Sequence, residues 1–416
     1  MLHKSQIKIN ADHRRVILQP LILPGFNRVE RILKRIEDLT DTQVEEILST
    51  VYKKFRHRHK NFDALLKRHL NISAGQGNLG KRFDESRQLL AGALLSKEYS
   101  FQSAALFNPS MVPHPDQSGL NKGETRFVMS LRATGEGHVS SIVFRSGIIS
   151  ADGSINLSPL TPYNVLGEYI RVGNTGKDYD IVFDQDSLIE ERVIFPGTLI
   201  ESMGMEDVRL VKFNDEQGVR FYGTYTAYDG RNIQSRLLET TDFSSFKIRS
   251  LSGASAKDKG MGIFPEKING KFAIISRQGG ESISIMFSDD LYRWDHHKLL
   301  MEPMYPFELV QMGNCGSPIK TDKGWLLITH GVGPVREYYI SAALLDMEDP
   351  TRIISRLDRP IITASKRERE GYVPNVVYSS GGMISGDKLI IPYAMSDSRY
   401  SFAWIETDLL LDELLK

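Results

Sequence analysis

The chain has 416 residues, 41% of them hydrophobic, and its 52 Lys and Arg residues balance 52 Asp and Glu residues. This length admits one large domain or several smaller ones, and a net charge near zero argues against nucleic acid or an anionic membrane as the main partner. The single Cys315 excludes a disulfide framework and a Cys-rich zinc site, and no His, Asp and Glu spacing indicates another metal site. Without an apolar run of membrane-spanning length or a signal-peptide apolar region, the sequence predicts a cytoplasmic protein that needs no cofactor.

Residues 25 to 96 are predicted to be helical. Thr40 followed by Gln43 forms a capping box for a helix over residues 41–55. The other candidate helix caps are Asn27, Asn61, Asp84 and Ser86. Amphipathic helices usually bury their apolar face. We therefore expect residues 1–100 to form a helical extension that packs on the rest of the protein or joins two copies in a homo-oligomer.

From residue 101 onward, short apolar strands alternate with Gly, Asn, Asp and Pro turns. One pattern recurs five times, with a polar loop, an apolar strand, a tight turn and two further strands, and its copies begin near residues 108, 206, 262, 316 and 372. A repeat of this kind predicts a radial or stacked architecture, because no unit could bury both of its faces alone. We therefore expect an all-β five-bladed β-propeller over residues 101–416, preceded by the N-terminal α-helical extension. A β-sandwich is the alternative.

Polar residues begin each unit, and in a propeller the starts of the first strands meet around the axis. Carboxylates accept hydrogen bonds from vicinal hydroxyls and aromatic rings cover sugar faces, so such a pocket suits a carbohydrate. Paired carboxylates would also suit glycoside cleavage, with one acting as acid and the other as base. The candidate residues from the unit starts and the strand ends beside them are Asn108, Ser110, Glu206, Asp207, Arg209, Glu266, Lys267, Glu308, Asn314, His330, Glu370, Tyr372 and Asn375.

The segment Gly204-Met-Glu-Asp-Val-Arg209 resembles the Gly-x-Glu-Asp-Pro-Arg motif of glycoside hydrolase family 130. Phe107-Asn-Pro-Ser110, Phe264–Lys271 and Gly316–Val332 are similar to further motifs of that family, and the resemblance spans about residues 101 to 410. It implies a five-bladed propeller that cleaves β-mannosides, with Asp207 as the general acid. Arg209 either orients Asp207 or forms a simple ion pair. Val208 replaces the usual Pro without removing a functional group.

Members of this family differ in the nucleophile that attacks the sugar. Phosphorolysis requires cations for phosphate, for which Arg145, Lys212, Arg277 and His330 are candidates, whereas inverting hydrolysis requires a base, for which Glu266 and Glu308 are candidates. The segments 312–318 and 369–378 resemble the β-1,2-mannosidase branch, and Ser276-Arg277-Gln278 lacks the His and Pro found in phosphorylases.

We therefore expect an inverting glycosidase that uses water to cleave β-1,2-linked manno-oligosaccharides. The alternative is a phosphorylase that uses inorganic phosphate as co-substrate and releases α-mannose 1-phosphate. A non-catalytic carbohydrate-binding propeller is the second alternative. Glu308 lies in an apolar stretch, where a structural ion pair would equally explain its presence.

Overall fold

The computed structural model describes residues 2–74, 82–173, 176–216 and 218–416. Its N-terminal part contains the predicted helices α1 (Phe26–Glu37), α2 (Asp41–Phe55), α3 (Phe62–Ala74) and α4 (Glu85–Leu94). The capping box of Thr40 and Gln43 is confirmed, and Asp84 caps α4. Asn27 does not cap α1, because that helix has already begun at Phe26. None of the helices in the described ranges combines the length and apolarity needed to cross a membrane.

The strands are numbered in chain order. The first four are β1 (His3–Lys4), β2 (Ile9–Asn10), β3 (Ile17–Pro20) and β4 (Ser96–Tyr99). The next eight are β5 (Ala105–Pro113), β6 (Thr125–Thr134), β7 (Ser140–Ile149), β8 (Ile155–Leu157), β9 (Val165–Leu166), β10 (Glu168–Val172), β11 (Asp178–Val182) and β12 (Arg192–Ile194). They are followed by β13 (Gly204–Asp215), β14 (Gly218–Tyr228), β15 (Ile233–Thr240) and β16 (Ser245–Ser250).

The remaining strands form three further groups. The first group is β17 (Lys259–Ile263), β18 (Phe272–Arg277), β19 (Ile283–Ser288) and β20 (Lys298–Met301). The second is β21 (Gln311–Asn314), β22 (Ile319–Lys320), β23 (Trp325–Val332), β24 (Tyr338–Leu345) and β25 (Ile353–Arg356). The third is β26 (Val377–Tyr378), β27 (Met383–Ser385), β28 (Lys388–Met395) and β29 (Arg399–Glu406), after which helix α5 (Thr407–Leu414) follows.

From β5 onward we group the described antiparallel strands into five consecutive units, and the blade number of the predicted propeller stays a prediction. The units are β5 to β8, β13 to β16, β17 to β20, β21 to β25 and β26 to β29. Strands β12 and β9 extend the first unit beyond β7, and β11 and β10 extend the second beyond β16. Each unit contacts the next one, and β28 of the last unit contacts β5 of the first. These contacts run from the first unit to the last and back to the first, and we call this arrangement the ring.

Strands β1 and β2, near the N-terminus, belong to the last unit of this ring. Strand β1 pairs with β29 through His3 and Trp404, and β2 pairs with it through Ile9 and Tyr400. Part of the segment predicted as a helical extension thus completes a sheet at the other end of the chain. The domain boundary at residue 100 stays a prediction.

The inner strands approach one another so closely at the centre that small residues are required. A Cβ atom on Gly262 would lie 2.6 Å from the carbonyl oxygen of Gly316, and one on Gly316 would lie 2.5 Å from the Cα of Gly381. A Cβ on Gly381 would lie 2.8 Å from the hydroxyl of Ser110, which also accepts a hydrogen bond from the backbone of Leu210. This chain of contacts runs through all five units and brings the starts of their inner strands together.

Candidate active site

The inner strands of the first three units carry a β-bulge at corresponding positions. The first residue of each bulge has a positive φ, namely +49° at Asn108, +55° at Asp207 and +88° at Gly260. Glycine adopts this conformation freely, whereas other residues do so at a cost on the order of 1 kcal/mol. Asn108 and Asp207 occupy two of these positions in spite of this conformational cost. Their side chains therefore have a role that glycine could not fill.

The two bulges bring Asn108 and Asp207 into contact. The side-chain amide of Asn108 donates a hydrogen bond of 2.7 Å to Asp207 Oδ1. The guanidinium of Arg132 lies 2.8 Å from Glu206 and 3.6 Å from Asp207, and Lys259 Nζ lies 2.7 Å from the other oxygen of Glu206. The two adjacent carboxylates are therefore held between cations that come from two different units.

The surroundings of Asp207 favour its ionised form. Burial by itself would raise the pKa of Asp207, but the charges of Arg132 and Arg209, the hydrogen bond from Asn108 and the charge of Lys259 together lower it. The side chain still exposes 19% of its surface, so a ligand can reach it. A ligand that neutralised the surrounding cations would raise the pKa of Asp207 again.

A line of buried polar side chains leads away from Asp207. Arg209 donates to the hydroxyl of Tyr378 over 2.6 Å and to the backbone carbonyl of Asp207 over 3.1 Å. The ring of Tyr378 lies 5.0 Å from that of His330, whose Nε2 is 3.5 Å from Arg277. Burial, reinforced by the charges of Arg277 and Arg209, lowers the pKa of His330, so its imidazole is neutral. Arg209 thus fixes the backbone at Asp207 instead of pairing with the carboxylate.

Arg277 supplies a positive charge that no carboxylate of the described residues neutralises. Among the described residues it forms no ion pair, and its Nε is buried without a hydrogen-bond partner. Asn314 lies beside it with Oδ1 also unpartnered, while its amide group donates to Gly316. The four cations Arg132, Arg209, Lys259 and Arg277 outnumber the three carboxyl groups of the centre, which are Glu206, Asp207 and Asp397. The centre of the ring therefore attracts anions.

Asp397 is a third carboxyl group of this centre. It lies in the turn between β28 and β29 with φ of +48°. Burial and the charge of Asp207, opposed by Arg132 and Arg336, raise the pKa of Asp397 to about 6. It therefore holds a proton for part of the time near neutral pH and can either donate or accept a hydrogen bond.

The structure brings together seven of the predicted site residues, which are Asn108, Glu206, Asp207, Arg209, Arg277, Asn314 and His330. Ser110 lies beneath them and fixes the backbone of Leu210. The loop before β26 carries the other three predicted residues, Glu370, Tyr372 and Asn375. Glu370 is exposed, and Tyr372 is 58% exposed with its hydroxyl 3.2 Å from His138. Asn375 accepts a hydrogen bond from Arg369.

Glu266 lies away from this centre, so the structure does not support it as the base. Its carboxylate pairs with Lys320 over 2.6 Å. The preceding Pro265 accepts a hydrogen bond from Asn214, which is eight residues along β13 from Glu206 and hence roughly 25 Å away. Lys267 lies in the same remote turn, over the ring of Phe272, and not in the site.

Glu308 and Arg145 are also committed to other contacts. Glu308 is buried, pairs with Arg356 over 2.6 Å and accepts hydrogen bonds from the backbone of Met304 and Tyr305. Because every one of these contacts fixes local structure, the prediction of Glu308 as a base is not supported. Arg145 is buried and donates to the backbone of Ser158, which removes it from the predicted ligands.

Three residues of the centre were missing from the predicted site, namely Arg132, Tyr378 and Asp397, whereas Lys259 is one of the polar residues that begin the third unit in the sequence. Arg132 ends a second strand and Asp397 follows one. In an antiparallel sheet the end of the second strand lies beside the start of the first strand. A polar residue at the end of a second strand is therefore the sequence feature that could have indicated Arg132 and Asp397. Among the described residues, no group of three His, Cys, Asp or Glu side chains is placed to hold a metal ion.

Residues 169–416 match the sequence model of glycoside hydrolase family 130, which carries the description beta-1,4-mannooligosaccharide phosphorylase. The chain belongs to this family. A 1,2-beta-oligomannan phosphorylase from Thermoanaerobacter sp. is 32% identical over 64% of this chain and 90% of its own length. A beta-1,2-mannobiose phosphorylase from Listeria innocua is 30% identical over 55% of this chain and 64% of its own length.

The fold also agrees with that of solved family 130 structures. The complex of beta-1,2-mannobiose phosphorylase from Listeria innocua with beta-1,2-mannobiose has a TM-score of 0.55 at 20% identity, covering 75% of this chain and 92% of that one. Both curated relatives are named phosphorylases. These names favour the alternative, phosphorolysis, over the main prediction of water as the nucleophile.

Asp397→Asn should stabilise the protein above pH 6 by on the order of 2 kcal/mol. The folded-state pKa of Asp397 is raised from 3.8 to about 6, so the stability that its protonated form contributes is present below pH 4 and lost as the pH rises through 6. Urea unfolding of both proteins at pH 3.5 and 7.5 measures this difference. The exposed Asp322→Asn is the control, and an equal effect of Asp397→Asn at both pH values would contradict the assignment.

Proposed function

We propose that this family 130 enzyme is a β-mannoside phosphorylase built on a five-bladed β-propeller. Its substrate is a manno-oligosaccharide, with β-1,2 linkages favoured because both curated relatives are named for them. The observation that carries the proposal is the excess of cations at the centre, above all Arg277, which has no carboxylate partner among the described residues. Arginine binds phosphate through paired, charge-assisted hydrogen bonds.

In this proposal, phosphate lies beside Arg277 and Lys259 and attacks the anomeric carbon from the side opposite the leaving group. A phosphate oxygen forms the new bond to the carbon, the glycosidic bond breaks, and the leaving oxygen takes a proton from Asp207, either directly or through a sugar hydroxyl. One displacement inverts the configuration, so a β-mannoside yields α-mannose 1-phosphate.

The charges around Asp207 support its role as acid only when phosphate is bound. In the empty site the cations lower the pKa of Asp207, and a carboxylate that has lost its proton cannot act as an acid. Bound phosphate would neutralise part of that positive charge and raise the pKa again. Phosphate would thus provide both the nucleophile and the conditions in which Asp207 holds a proton.

Hydrolysis is the second candidate because of Asp397. Glu206 is held by Arg132 and Lys259, whereas Asp397 has no ion pair among the described residues and a pKa of about 6. A carboxylate with that pKa is suited to act as a base near neutral pH.

Incubation with β-1,2-mannobiose should release mannose 1-phosphate only when inorganic phosphate is present. Proton NMR of the first product identifies both the compound and its anomer, which we expect to be α. Free mannose formed at an undiminished rate without phosphate would contradict the phosphorylase. If that activity were then lost in Asp397→Asn, the hydrolytic candidate would replace it.

Asp207→Asn should lower kcat for phosphorolysis by at least about 100-fold, which is the usual contribution of a positioned general acid. Glu266→Gln is the matched control, because its carboxylate forms an ion pair on the surface and should leave kcat within about twofold. Initial rates at saturating phosphate and mannobiose measure both variants. Equal losses in the two variants would show that the assignment of the acid is wrong.

Arg277→Ala should raise KM for phosphate at least tenfold, because it removes a charge-assisted contact, while KM for mannobiose changes much less. Lys267→Ala, which removes a cation remote from the site, serves as the control and should change neither constant. Initial rates over a grid of both substrate concentrations separate the two KM values. A selective rise in KM for mannobiose would move Arg277 from the phosphate site to the sugar site.

A further inference from the structure

A strongly basic segment lies outside the active site, in the helical part of the chain. Residues 53–60 read Lys-Lys-Phe-Arg-His-Arg-His-Lys, so seven of these eight side chains are basic in a chain of zero net charge. The segment runs from the last turn of α2 through one 3-10 turn (Arg56–Arg58) to the start of α3. The cations in the last turn of α2 interact favourably with the negative end of its helix dipole. Arg58 forms an ion pair with Glu98 over 2.8 Å. These interactions explain only some of the basic residues in the segment.

Five residues of the segment line a cleft of about 890 Å³, a volume typical of small-molecule sites; they are Lys53, Arg56, His57, His59 and Lys60. Tyr163, from the loop before β9, forms part of the opposite wall, so the cleft lies between the helical part and the first β unit. The aromatic Tyr52 and the acidic Asp63 also line the cleft.

Positive charge remains on this lining after its contacts are counted. Lys60 pairs with Glu191 over 2.6 Å, and Arg56 stacks on Tyr52 with only a long contact of 3.9 Å to Asp63. Lys53 lines the cleft without an ion pair to any described residue, as does His57. Since Asp63 is the one acidic residue among the lining residues described, the cleft favours an anion.

Two buried polar atoms of the described lining have no hydrogen-bond partner, Oδ1 of Asp63 and Nδ1 of His59, and both are acceptors that a ligand hydroxyl could satisfy. His59 is 3% exposed, its Nε2 lies 2.9 Å from Glu98, and its Nδ1 is buried without a hydrogen-bond partner. Burial lowers the pKa of His59, although Glu98 opposes this, so the ring is neutral at pH 7. With Nε2–H donating to Glu98, Nδ1 is a free acceptor, and a ligand hydroxyl would satisfy it.

We propose that this cleft binds the phosphate monoester of a sugar or polyol. Lys53 and Arg56 hold the phosphate, the rings of Tyr52 and Tyr163 cover the carbon skeleton, and His59 accepts a hydrogen bond from a hydroxyl. Aromatic walls and a buried acceptor distinguish this concave site from a basic strip that tracks an extended polyanion. The site shares no residue with the active centre, and its existence does not depend on which reaction that centre catalyses.

NMR of the protein labelled at histidine Cε1 tests the proposal, because it observes the cleft and the active centre through separate histidine signals. His57→Gln and His59→Gln assign the two cleft resonances, and His330→Gln assigns a reporter of the active centre. Titration with α-mannose 1-phosphate should shift the His57 and His59 signals saturably, inorganic phosphate should shift them at higher concentration, and mannose should not shift them.

Lys53→Ala combined with Arg56→Ala should weaken this binding at least tenfold without changing turnover. The matched control is Lys34→Ala with Arg35→Ala, which removes two exposed cations from α1 and should leave binding unchanged. Unmoved cleft signals, equal shifts with mannose, or an unaffected Lys53/Arg56 variant would each overturn the proposal. Binding of heparin without sugar phosphate would also overturn it and assign a polyanion surface instead. A protein that fails to form mannose 1-phosphate from mannobiose but shows the cleft shifts would contradict only the proposed reaction.

Discussion

The close approach of the inner strands at the centre of the ring is the constraint on which the rest of the site depends. Backbone atoms of Gly262, Gly316 and Gly381 lie where side chains would otherwise stand. Strands that converge so tightly must also bend, and in the first three units they do so through bulges that begin with a positive φ. Two of those bulges hold Asn108 and Asp207, so the geometry that closes the ring also aims the two side chains at each other. Glycine would relieve the backbone strain but would remove this hydrogen bond.

The charges at the centre suit binding better than stability. Taking Glu206, Asp207 and their cationic neighbours out of water costs energy that ion pairs repay only in part. The excess of positive charge leaves Arg277 without a carboxylate partner among the described residues. Binding of an anionic ligand would offset this unfavourable desolvation energy. Asp397 adds a group whose protonation depends on how much charge Asp207 carries. A change of charge at one carboxyl group therefore alters the other, and the two titrate as a coupled pair.

Much of the fold could be predicted from the sequence because each unit repeats a local pattern of strands and turns, and the capping box at Thr40 is equally local. The pairing of β1 and β2 with β29 could not, because nothing within the first ten residues indicates a partner near residue 400. In the site, Asp207 and Asn108 were found because they begin inner strands. Glu266 was misplaced because a carboxylate after a strand looks the same in sequence at either end of a sheet. Arg132 lies near the end of a second strand and Asp397 follows β28, so the polar residues that begin each unit give no indication of either.

The N-terminal strands also constrain when the ring can close. Ser401 donates a hydrogen bond to the backbone of Ile7, 394 residues earlier in the chain. At ribosomal rates of about 5–20 residues per second, the first strands are made roughly 20–80 s before the edge that they pair with. Helices α1 to α4 make local contacts and can form during that interval, whereas the last β unit can only be completed after synthesis of its own strands. Until then the nascent protein carries unpaired strand edges at both ends, and during translation these are the parts most exposed to aggregation.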